Sequence, residues 1–502
     1  MQLRLLCAFV TLTFALPCFA QSDIDTLRQQ IAAQQKQIED LQRTLEAQQK
    51  TLQQLTAAPA VAPAAPEAAT EAKQAEGAKV SAPLSWKIGD AEFTPGGFMD
   101  FTNVWRSNNI GSGIGTSFSG APFGNTAAGV NPEDRLSAQN SRLTLKVTSK
   151  VFNTDVTGYL ETDFLGNAPT NLNVTSNANT LRMRLYWVDV AKSNWEILAG
   201  QSWSMLTPGR KGISPAPSDL FYSQDIDTNY QLGLIWTRAP QFRLVYHPSK
   251  DFALGFALEN PQQYIGTASV VPSFVGSQLD AAATTSTPNI HPDIQAKMAY
   301  DAQYNGHQVL HLEASGVFRT FRIAGAAPAL AHSEIHGGAG SVNAILEPVK
   351  NFRLIATTFY GSGAGRYIGN ANAPDVVVRA NGSLSGVHSG SGIGGFEVQA
   401  NPKFLLYGYY SGVYIQRNWG VPASGTALLG YGFPSSANTN NRVLQEGTVG
   451  FTYSFWKNPK YGALQLMNSY SYLYRVPWAP PTSGPVNAHS HMVFTNLRYL
   501  LP

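Results

Sequence analysis

The sequence has little cysteine. Its 502 residues include two, Cys7 and Cys18. Both fall within residues 1–20, where Arg4, an apolar run and a small-x-small triplet ending at Ala20 are typical of a secretory signal. We expect this segment to be removed after export. The mature chain then has no thiol, which excludes disulfides, a cysteine nucleophile and cysteine metal ligands.

The sequence also has little charge. Charged residues make up 13% of the chain, against about 25% in soluble proteins. After the signal, no stretch approaches the roughly 20 apolar residues of a membrane-spanning helix. Low charge, 45 glycines and 11% aromatic residues together favour a β-barrel that meets lipid with alternate residues. The net charge of +3 is too small to indicate a nucleic-acid partner.

Residues 22–56 carry an unbroken heptad pattern, which predicts a periplasmic coiled coil. A two-residue stripe of this kind cannot be buried by one helix, so we expect self-association. Isoleucine at the first core position and leucine at the second favour two strands, although Gln34 and Gln48 dilute that preference. Residues 57–85 are rich in alanine and proline and read as a linker. The apolar heptad positions are Ile24, Leu27, Ile31, Ile38, Leu41, Leu45, Leu52 and Leu55.

From residue 86 to residue 502 the pattern changes to period two, which is typical of β-strands. In the segment 142–147, Leu143 and Leu145 share one face with Val147, and the polar residues share the other. About 16 such segments can be counted, and the connections between them alternate between long and short. This alternation favours an outer-membrane barrel over a secreted sandwich or propeller. We interpret 229–247 as one strand with a bulge at Pro240, because splitting it would break the alternation.

Several short motifs occur along the chain in the order that is typical of one family. With the signal, coiled coil, linker and barrel, they make the chain resemble the DcaP-like trimeric porins of Gram-negative outer membranes. The resemblance implies a homotrimer in outer-membrane lipid that passes small, often anionic solutes such as dicarboxylates. The chain departs from porins in ending on Pro502 rather than on an aromatic residue. The motifs lie at 139–143, 158–164, 199–204, 238–243, 259–261 and 363–367.

No enzyme motif, cofactor fingerprint or metal-ligand pattern stands in a convincing context, so we expect neither catalysis nor a cofactor or metal. Selectivity in a pore depends on inward-facing charges. Residue parity places a basic ladder and two carboxylates on the inward face, where they would attract anions. The alternative is that each arginine merely forms an ion pair that holds strands together. The predicted pore-lining residues are Arg142, Lys146, Arg182, Arg184, Arg243, Glu161 and Asp163.

The long loop after the fifth strand is the candidate constriction, by resemblance to general porins. Its alternative role is an external loop at trimer contacts. Its charged residues are Arg210, Lys211, Asp219, Asp225 and Asp227.

The sequence therefore predicts an all-β, transmembrane, antiparallel barrel behind a helical coiled coil. The predicted function is passive diffusion of small hydrophilic solutes across a Gram-negative outer membrane, with a preference for anions. Two alternatives stay open. One is a sugar-selective porin, which would need aromatic residues along the lumen. The other is a structural tether whose coiled coil contacts the cell wall.

Overall fold

The structure is a computed structural model that describes residues 36, 43, 84–167, 177–215, 220–262, 265, 275, 278, 289–325, 327–379, 381–421 and 428–502. The chain divides into two units, Met1–Lys79 and Val80–Pro502. In the first unit Lys36 and Arg43 are described, and both are helical. The predicted signal and the heptad positions lie outside the described residues, as does most of the linker, so those predictions stay predictions.

The described part of the second unit folds mainly into β-strands, numbered here in chain order. Period-two segments form these strands because alternate side chains reach opposite faces. The strands are β1 (Trp86–Ile88), β2 (Ala91–Arg106), β3 (Glu133–Ser137), β4 (Arg142–Val151), β5 (Thr154–Asp163), β6 (Arg182–Lys192), β7 (Trp195–Trp203), β8 (Arg238–Ser249), β9 (Phe252–Glu259), β10 (Asp293–Tyr304), β11 (His307–Ala324), β12 (His332–Val349), β13 (Phe352–Ser362), β14 (Val376–Val378), β15 (Leu384–Gly386), β16 (His388–Asn401), β17 (Phe404–Ile415), β18 (Asn418–Gly420), β19 (Leu429–Tyr431), β20 (Asn441–Asn458), β21 (Gly462–Pro477) and β22 (Ala488–Leu500).

The main sheet is a closed antiparallel barrel with 16 wall strands. Its 18 members include β1, which pairs only with β2, and the pieces β3 and β4, which both pair with β2 and so count as one wall strand. The first wall strand, β2, also pairs with the last, β22, from Phe98↔Leu500 to Arg106↔Met492. Each described wall strand is therefore paired on both sides, as a membrane barrel requires.

Long and short connections alternate around the wall, as the sequence predicts. Short turns join the strands at one end, for example β6 to β7 and β12 to β13. Long loops join them at the other end, and where the structure gives their bounds these loops contain short helical turns. These are α1 (Ala127–Val130) and the 3₁₀ turns Phe118–Gly120, Tyr222–Asp225 and Gly365–Tyr367. Among the described residues, no helix has both the length and the apolar character needed to cross a membrane.

The predicted single strand over 229–247 is wrong at its start. The wall strand β8 begins at Arg238, and residues 229–237 belong to the preceding loop. The predicted bulge at Pro240 is also wrong, because the pairing of β8 with β7 runs through Pro240 without a shift. The irregularity falls between Tyr246 and Ser249, at the turn into β9. The apolar residues before Arg238 resemble a strand in sequence because they are buried. Their burial, however, comes from packing of the loop and not from the wall.

The hydrophobic core lies inside the barrel and joins long loops to the wall. Phe118 and Phe123 of the loop after β2 belong to the same buried cluster as Phe221 and Trp236 of the loop after β7. Tyr367, from the loop after β13, joins them. Loops that bury apolar side chains in this way are held against the wall instead of standing free above it.

Candidate functional site

The loop between β7 and β8, residues 204–237, runs through the interior of the barrel, and we call it the crossing loop. Its base is closed by the Ser204 N–H, which donates to the Thr237 carbonyl at 2.8 Å. Its described residues then reach wall strands on the opposite side. The Gly212 N–H donates to Asp301 of β10 at 2.9 Å. The Gly209 N–H donates to both carboxylate oxygens of Glu313 of β11, at 3.2 and 3.1 Å.

Arg210 fixes the tip of the crossing loop, residues 209–212, to the far wall. Its guanidinium forms a two-pronged ion pair with Glu397 of β16, and the Nη1–Oε2 distance is 2.9 Å. The guanidinium also lies 4.7 Å from the ring centre of Tyr222. Burial alone would lower the pKa of Arg210, but the hydrogen bonds and charge of Glu397 raise it above its ordinary value. Arg210 is therefore a permanent cation whose charge is already matched.

The second half of the crossing loop is attached to the remaining wall. The Gln231 amide donates to Ser411 of β17 at 3.1 Å and to Glu446 of β20 at 2.8 Å. Asp225 lies 3.3 Å from the Arg498 guanidinium of β22. These contacts place the predicted constriction loop inside the barrel.

Asp227 connects the crossing loop to the loop after β2. Its carboxylate accepts from the backbone N–H of Thr116 at 3.1 Å and from that of Asn229 at 2.8 Å. Burial raises the pKa of this carboxyl, and the two hydrogen bonds offset the rise only in part. Asp219 lies outside the described residues.

The predicted basic ladder faces inward, but its charges are paired on the wall itself. Arg182 forms a 2.7 Å ion pair with Asp163, and Arg184 forms a 2.7 Å ion pair with Asp163 and a further one with Glu161. Arg142 lies 3.6 Å from Glu161. We call these five residues the paired wall. The two carboxylates offset two of the three positive charges over adjacent strands instead of facing them across an opening.

The alternation of faces in β6 breaks after Met183. Strict parity would place Leu185 on the outward face with Leu181 and Met183. Those two are indeed exposed, whereas Leu185 is fully buried. The reason is a register irregularity in the pairing of β5 with β6, where Thr162 pairs with Met183 and Glu161 pairs with Leu185. The extra residue turns both Arg184 and Leu185 inward.

The other two predicted basic residues differ in burial. Arg243 is buried and donates to the Trp203 carbonyl at 2.8 Å and to the Gln241 side chain at 2.8 Å. Lys146 is exposed on the inward row of β4 and forms no ion pair with any described residue. Its partner across the strand pair is Tyr159 of β5.

Two cavities lie below the crossing loop, on the side of the short turns, and we call them together the vestibule. The first has a volume of about 520 Å³, and its ionisable lining includes Lys211, Lys350, Arg353 and Glu347. The second has a volume of about 460 Å³, and its ionisable lining includes Lys211, Lys250, Glu196, Asp301 and His247. Arg210 lines both cavities as well.

Lys211 is the exposed cation of the loop tip and borders both cavities. Among the described residues it has no acidic partner, and the same holds for Lys250 and Lys350. Glu347, in contrast, is already paired with Arg353 at 2.9 Å. The vestibule is thus a wet space with unmatched positive charge.

Sequence reasoning found Arg210 and Lys211 but missed the residues that surround them. Lys250 and Lys350 occupy short turns, where a lysine normally reads as a solvated surface residue. The sequence pattern could nevertheless have indicated Lys250 and Lys350, because both follow strands whose inward-facing residues can be assigned by parity. Across the described residues, no three histidine, cysteine, aspartate or glutamate side chains are grouped so that they could hold a metal ion.

A closed barrel of 16 strands with a loop folded into its lumen is the architecture of outer-membrane channel proteins. The sequence matches no known family model, and no curated protein matches it. Among solved structures, it is similar to the outer membrane channel DcaP of Acinetobacter baumannii. The TM-score is 0.60 at 17% identity, over 83% of this chain and 99% of that chain. The predicted resemblance to the DcaP-like porins is confirmed in the fold.

Two further similarities are weaker. An anion-selective porin from Comamonas acidovorans aligns with a TM-score of 0.46 at 12% identity, over 82% of this chain and 100% of its own. OmpT, an outer membrane protein of Vibrio cholerae folded in vitro, aligns with a TM-score of 0.45 at 10% identity, over 83% of this chain and 100% of its own. Neither carries an argument about function.

Proposed function

We propose that this protein is an outer-membrane porin for passive diffusion of small hydrophilic solutes and that it favours anions, dicarboxylates among them. The fold shared with the DcaP channel supports the porin role. The observation that carries the anion preference is Lys211, an unmatched cation at the tip of the crossing loop and at the border of both vestibule cavities.

The balance of charge in the vestibule supports the same preference. The first cavity presents Lys211, Lys350 and Arg353 against Glu347, which is neutralised by its own pairing with Arg353. Cations outnumber carboxylates over the two linings together, and a wet space with such an excess between walls of low dielectric constant concentrates anions. A lysine about 4 Å from a passing anion contributes on the order of 1 kcal/mol in water, and more where protein surrounds it.

The paired wall has a different role in this proposal. Arg142, Arg182 and Arg184 face the lumen side, but Glu161 and Asp163 neutralise much of their charge. We assign them to holding β4, β5 and β6 together above the vestibule. The selectivity residues are then Lys211 first, with Lys250 and Lys350 as secondary contributors.

The remaining parts of the sequence prediction belong to the same proposal. Short turns lie on the periplasmic side in outer-membrane barrels, so the vestibule would open to the periplasm. Residues 22–56 would form a coiled coil on that side, available for contact with the cell wall, and three copies would assemble in the membrane. The signal over residues 1–20 fits this route of export.

The test is electrical measurement of the full-length protein in planar lipid bilayers. We expect discrete conductance steps. In a KCl gradient we expect a reversal potential with the sign that results when chloride is more permeant than potassium. Steps with a reversal potential of the opposite sign would refute the anion preference while keeping the pore. Absence of any conductance, from protein whose barrel is shown to be folded, would refute the porin function itself.

A structural tether is the second candidate, because three long loops fill much of the barrel interior with apolar side chains. It predicts no conductance from a folded barrel. A sugar-selective porin gains less support. Tyr407 and Tyr409 do stack inside the barrel at 5.2 Å, but both are buried, with 0% and 4% of their surface exposed. Aromatic rings covered in this way offer no surface to a passing sugar.

A further inference from the structure

A buried histidine lies between the two carboxylates that hold the tip of the crossing loop. Asp301 of β10 and His311 of β11 are opposite each other in the strand pairing, and Glu313 lies on the same inward face as His311. Nδ1 of His311 lies 2.8 Å from Oδ1 of Asp301, and Nε2 lies 3.3 Å from Oε1 of Glu313. Each ring nitrogen of this fully buried side chain therefore faces a carboxylate oxygen.

The same two carboxylates are the points at which the loop tip attaches to β10 and β11. Asp301 accepts from the Gly212 N–H through its other oxygen, Oδ2, at 2.9 Å. Glu313 accepts from the Gly209 N–H with both of its oxygens, at 3.2 and 3.1 Å. His311 therefore orients the two groups on which the loop tip is docked.

The charges around this histidine balance only in one state of the ring. We call His311, Asp301, Glu313 and Lys297 of β10 the tip cluster. Nζ of Lys297 lies 2.9 Å from Oε1 of Glu313 and donates to the Thr207 carbonyl of the crossing loop at 2.9 Å. All four side chains are buried, with at most 4% of their surface exposed. Because two carboxylates face one ammonium group, the cluster is neutral only when the imidazole carries a proton, and an unmatched buried charge is strongly unfavourable.

Hydrogen bonding indicates the same charge state. A neutral imidazole has one N–H donor and one lone pair, whereas an imidazolium has two donors. With a carboxylate oxygen on each side of the ring, the neutral form of His311 would turn its lone pair toward Asp301 or Glu313. The contacts therefore fit the protonated ring, and loss of its proton replaces one attraction by a repulsion.

The tip cluster is close to the water of the vestibule. Asp301 lines the second vestibule cavity, and Glu313 lines a further small cavity of about 40 Å³ beside the loop tip. From β12, the Asn343 amide donates to Glu313 at 3.2 Å and adds no charge. Among the described residues that contact the ring or line this small cavity, the charged groups are the two carboxylates and the cations Lys297, Lys211 and Arg243.

We propose that His311 is a positioning residue for the crossing loop, whose imidazolium keeps the loop tip docked on β10 and β11 and whose loss of a proton to vestibule water loosens it. Lys211 lies between Gly209 and Gly212, so it moves with them. For its effect on current, this inference rests on the proposed porin function. Histidine changes its charge between about pH 5 and 8. The tip is therefore docked at the acidic end of this range. At the alkaline end it is looser, the opening is wider and the anion preference is weaker.

A spin label on the loop tip tests the docking without any need for current. Lys211→Cys is labelled in the full-length chain in lipid vesicles, and its spectrum is recorded from about pH 5 to about pH 9. The natural cysteines, Cys7 and Cys18, lie in the predicted signal. We expect a slowly moving label at low pH and a rapidly moving label at high pH. A label with the same mobility throughout the range would overturn the inference, and this outcome needs no variant of His311.

Two variants assign the change in mobility to one histidine, each in protein whose barrel is shown to be folded. His311→Gln removes the titrating ring, and we expect a rapidly moving label at every pH. His307→Gln is the matched control, because His307 belongs to the same strand and lines the first vestibule cavity. It should leave the change in mobility as it is. A change that persists in His311→Gln, or disappears in His307→Gln, would overturn the assignment.

Planar bilayers measure the consequence for current. From low to high pH, we expect conductance and current noise to rise in the wild type and to stay constant in His311→Gln. The reversal potential should shift toward weaker anion preference over the same pH range. Steady conductance in the wild type would overturn the inference and leave the porin function standing. Absence of conductance at every pH would refute the porin function, and the label would then decide the docking alone.

Discussion

Two basic regions inside the barrel use their charge differently. In the paired wall, Arg184 is almost fully buried and contacts two carboxylates. In the vestibule, Lys211 is exposed and contacts none among the described residues. Arginine suits the first region because its planar guanidinium holds carboxylates at fixed angles, and lysine suits the second because its compact charge stays hydrated.

The difference shows that counting inward charges does not locate the field of a pore. A cation whose partner lies within hydrogen-bond distance adds little to the potential in the lumen. A cation without such a partner adds its full charge, reduced only by water and salt. We therefore assign stability of the barrel to the paired wall and ion preference to the vestibule.

The largest effect is expected from Arg184→Met. This change removes a cation that pairs with the buried carboxylates of Glu161 and Asp163. Breaking a buried ion pair in this way costs roughly 3–5 kcal/mol of stability. The unfolding temperature of the barrel, followed by its shift in mobility on heating in detergent, should fall sharply. Ion preference should change little.

Arg182→Met is the control for that experiment. Its side chain is 34% exposed, and Asp163 keeps Arg184 when Arg182 is removed. We expect a loss of about 1 kcal/mol or less. If Arg184→Met left stability intact and altered the reversal potential instead, the separation of roles would be wrong.

A smaller effect is expected from Arg210→Gln. The change removes the two-pronged ion pair with Glu397, and hydrogen bonds to charged groups contribute about 1.5–3 kcal/mol. The loop tip should detach from the far wall, so single-channel conductance and current noise should rise. Arg353→Gln is the matched control, since Arg353 lies 3.7 Å from Glu397 but belongs to the wall. Identical currents from the two variants would show that Arg210 does not hold the loop.

The smallest effect on stability is expected at Asp227, and it depends on pH. Burial raises the pKa of this carboxyl, so the folded state binds the proton more tightly than the unfolded state. Its contribution to stability is therefore present below the ordinary pKa of about 3.9 and is lost as pH rises to the raised value. Asp227→Asn should remove that decline in the unfolding temperature.

The control is Asp225→Asn on the same loop, where the carboxylate faces Arg498 and is 29% exposed. It should not remove the decline. A pH profile that is the same for the wild type and Asp227→Asn would show that another group controls it.

The wall could be predicted from the sequence because its signal is local. Alternation within segments such as 142–147 follows from the pleat of a strand. The alternation of long and short connections then orders the strands into a barrel. The alternation does not indicate the structure at 229–237, where apolar residues are buried by loop packing, or at Leu185, where one extra residue reverses the parity.

The site could be predicted only in part, because its contacts are distant in sequence. Arg210 and Glu397 are 187 residues apart, and nothing near Glu397 indicates a partner. Residue parity places both Arg184 and Glu161 on the inward face. It is compatible with an ion pair between them and equally with an open lumen that both residues line. Only the spacing of the strands and the bulge in β6 decide between these alternatives.

The most direct test of the central claim is the reversal potential in a KCl gradient for Lys211→Gln and Arg182→Gln, each compared with the wild type. Removing an unmatched charge should lower anion preference by roughly 0.5–1 kcal/mol, or about two- to fivefold in the permeability ratio. We expect this shift for Lys211→Gln and none for Arg182→Gln, whose guanidinium donates to Asp163 at 3.0 and 2.7 Å. A shift for Arg182→Gln that equals or exceeds that for Lys211→Gln would contradict the account.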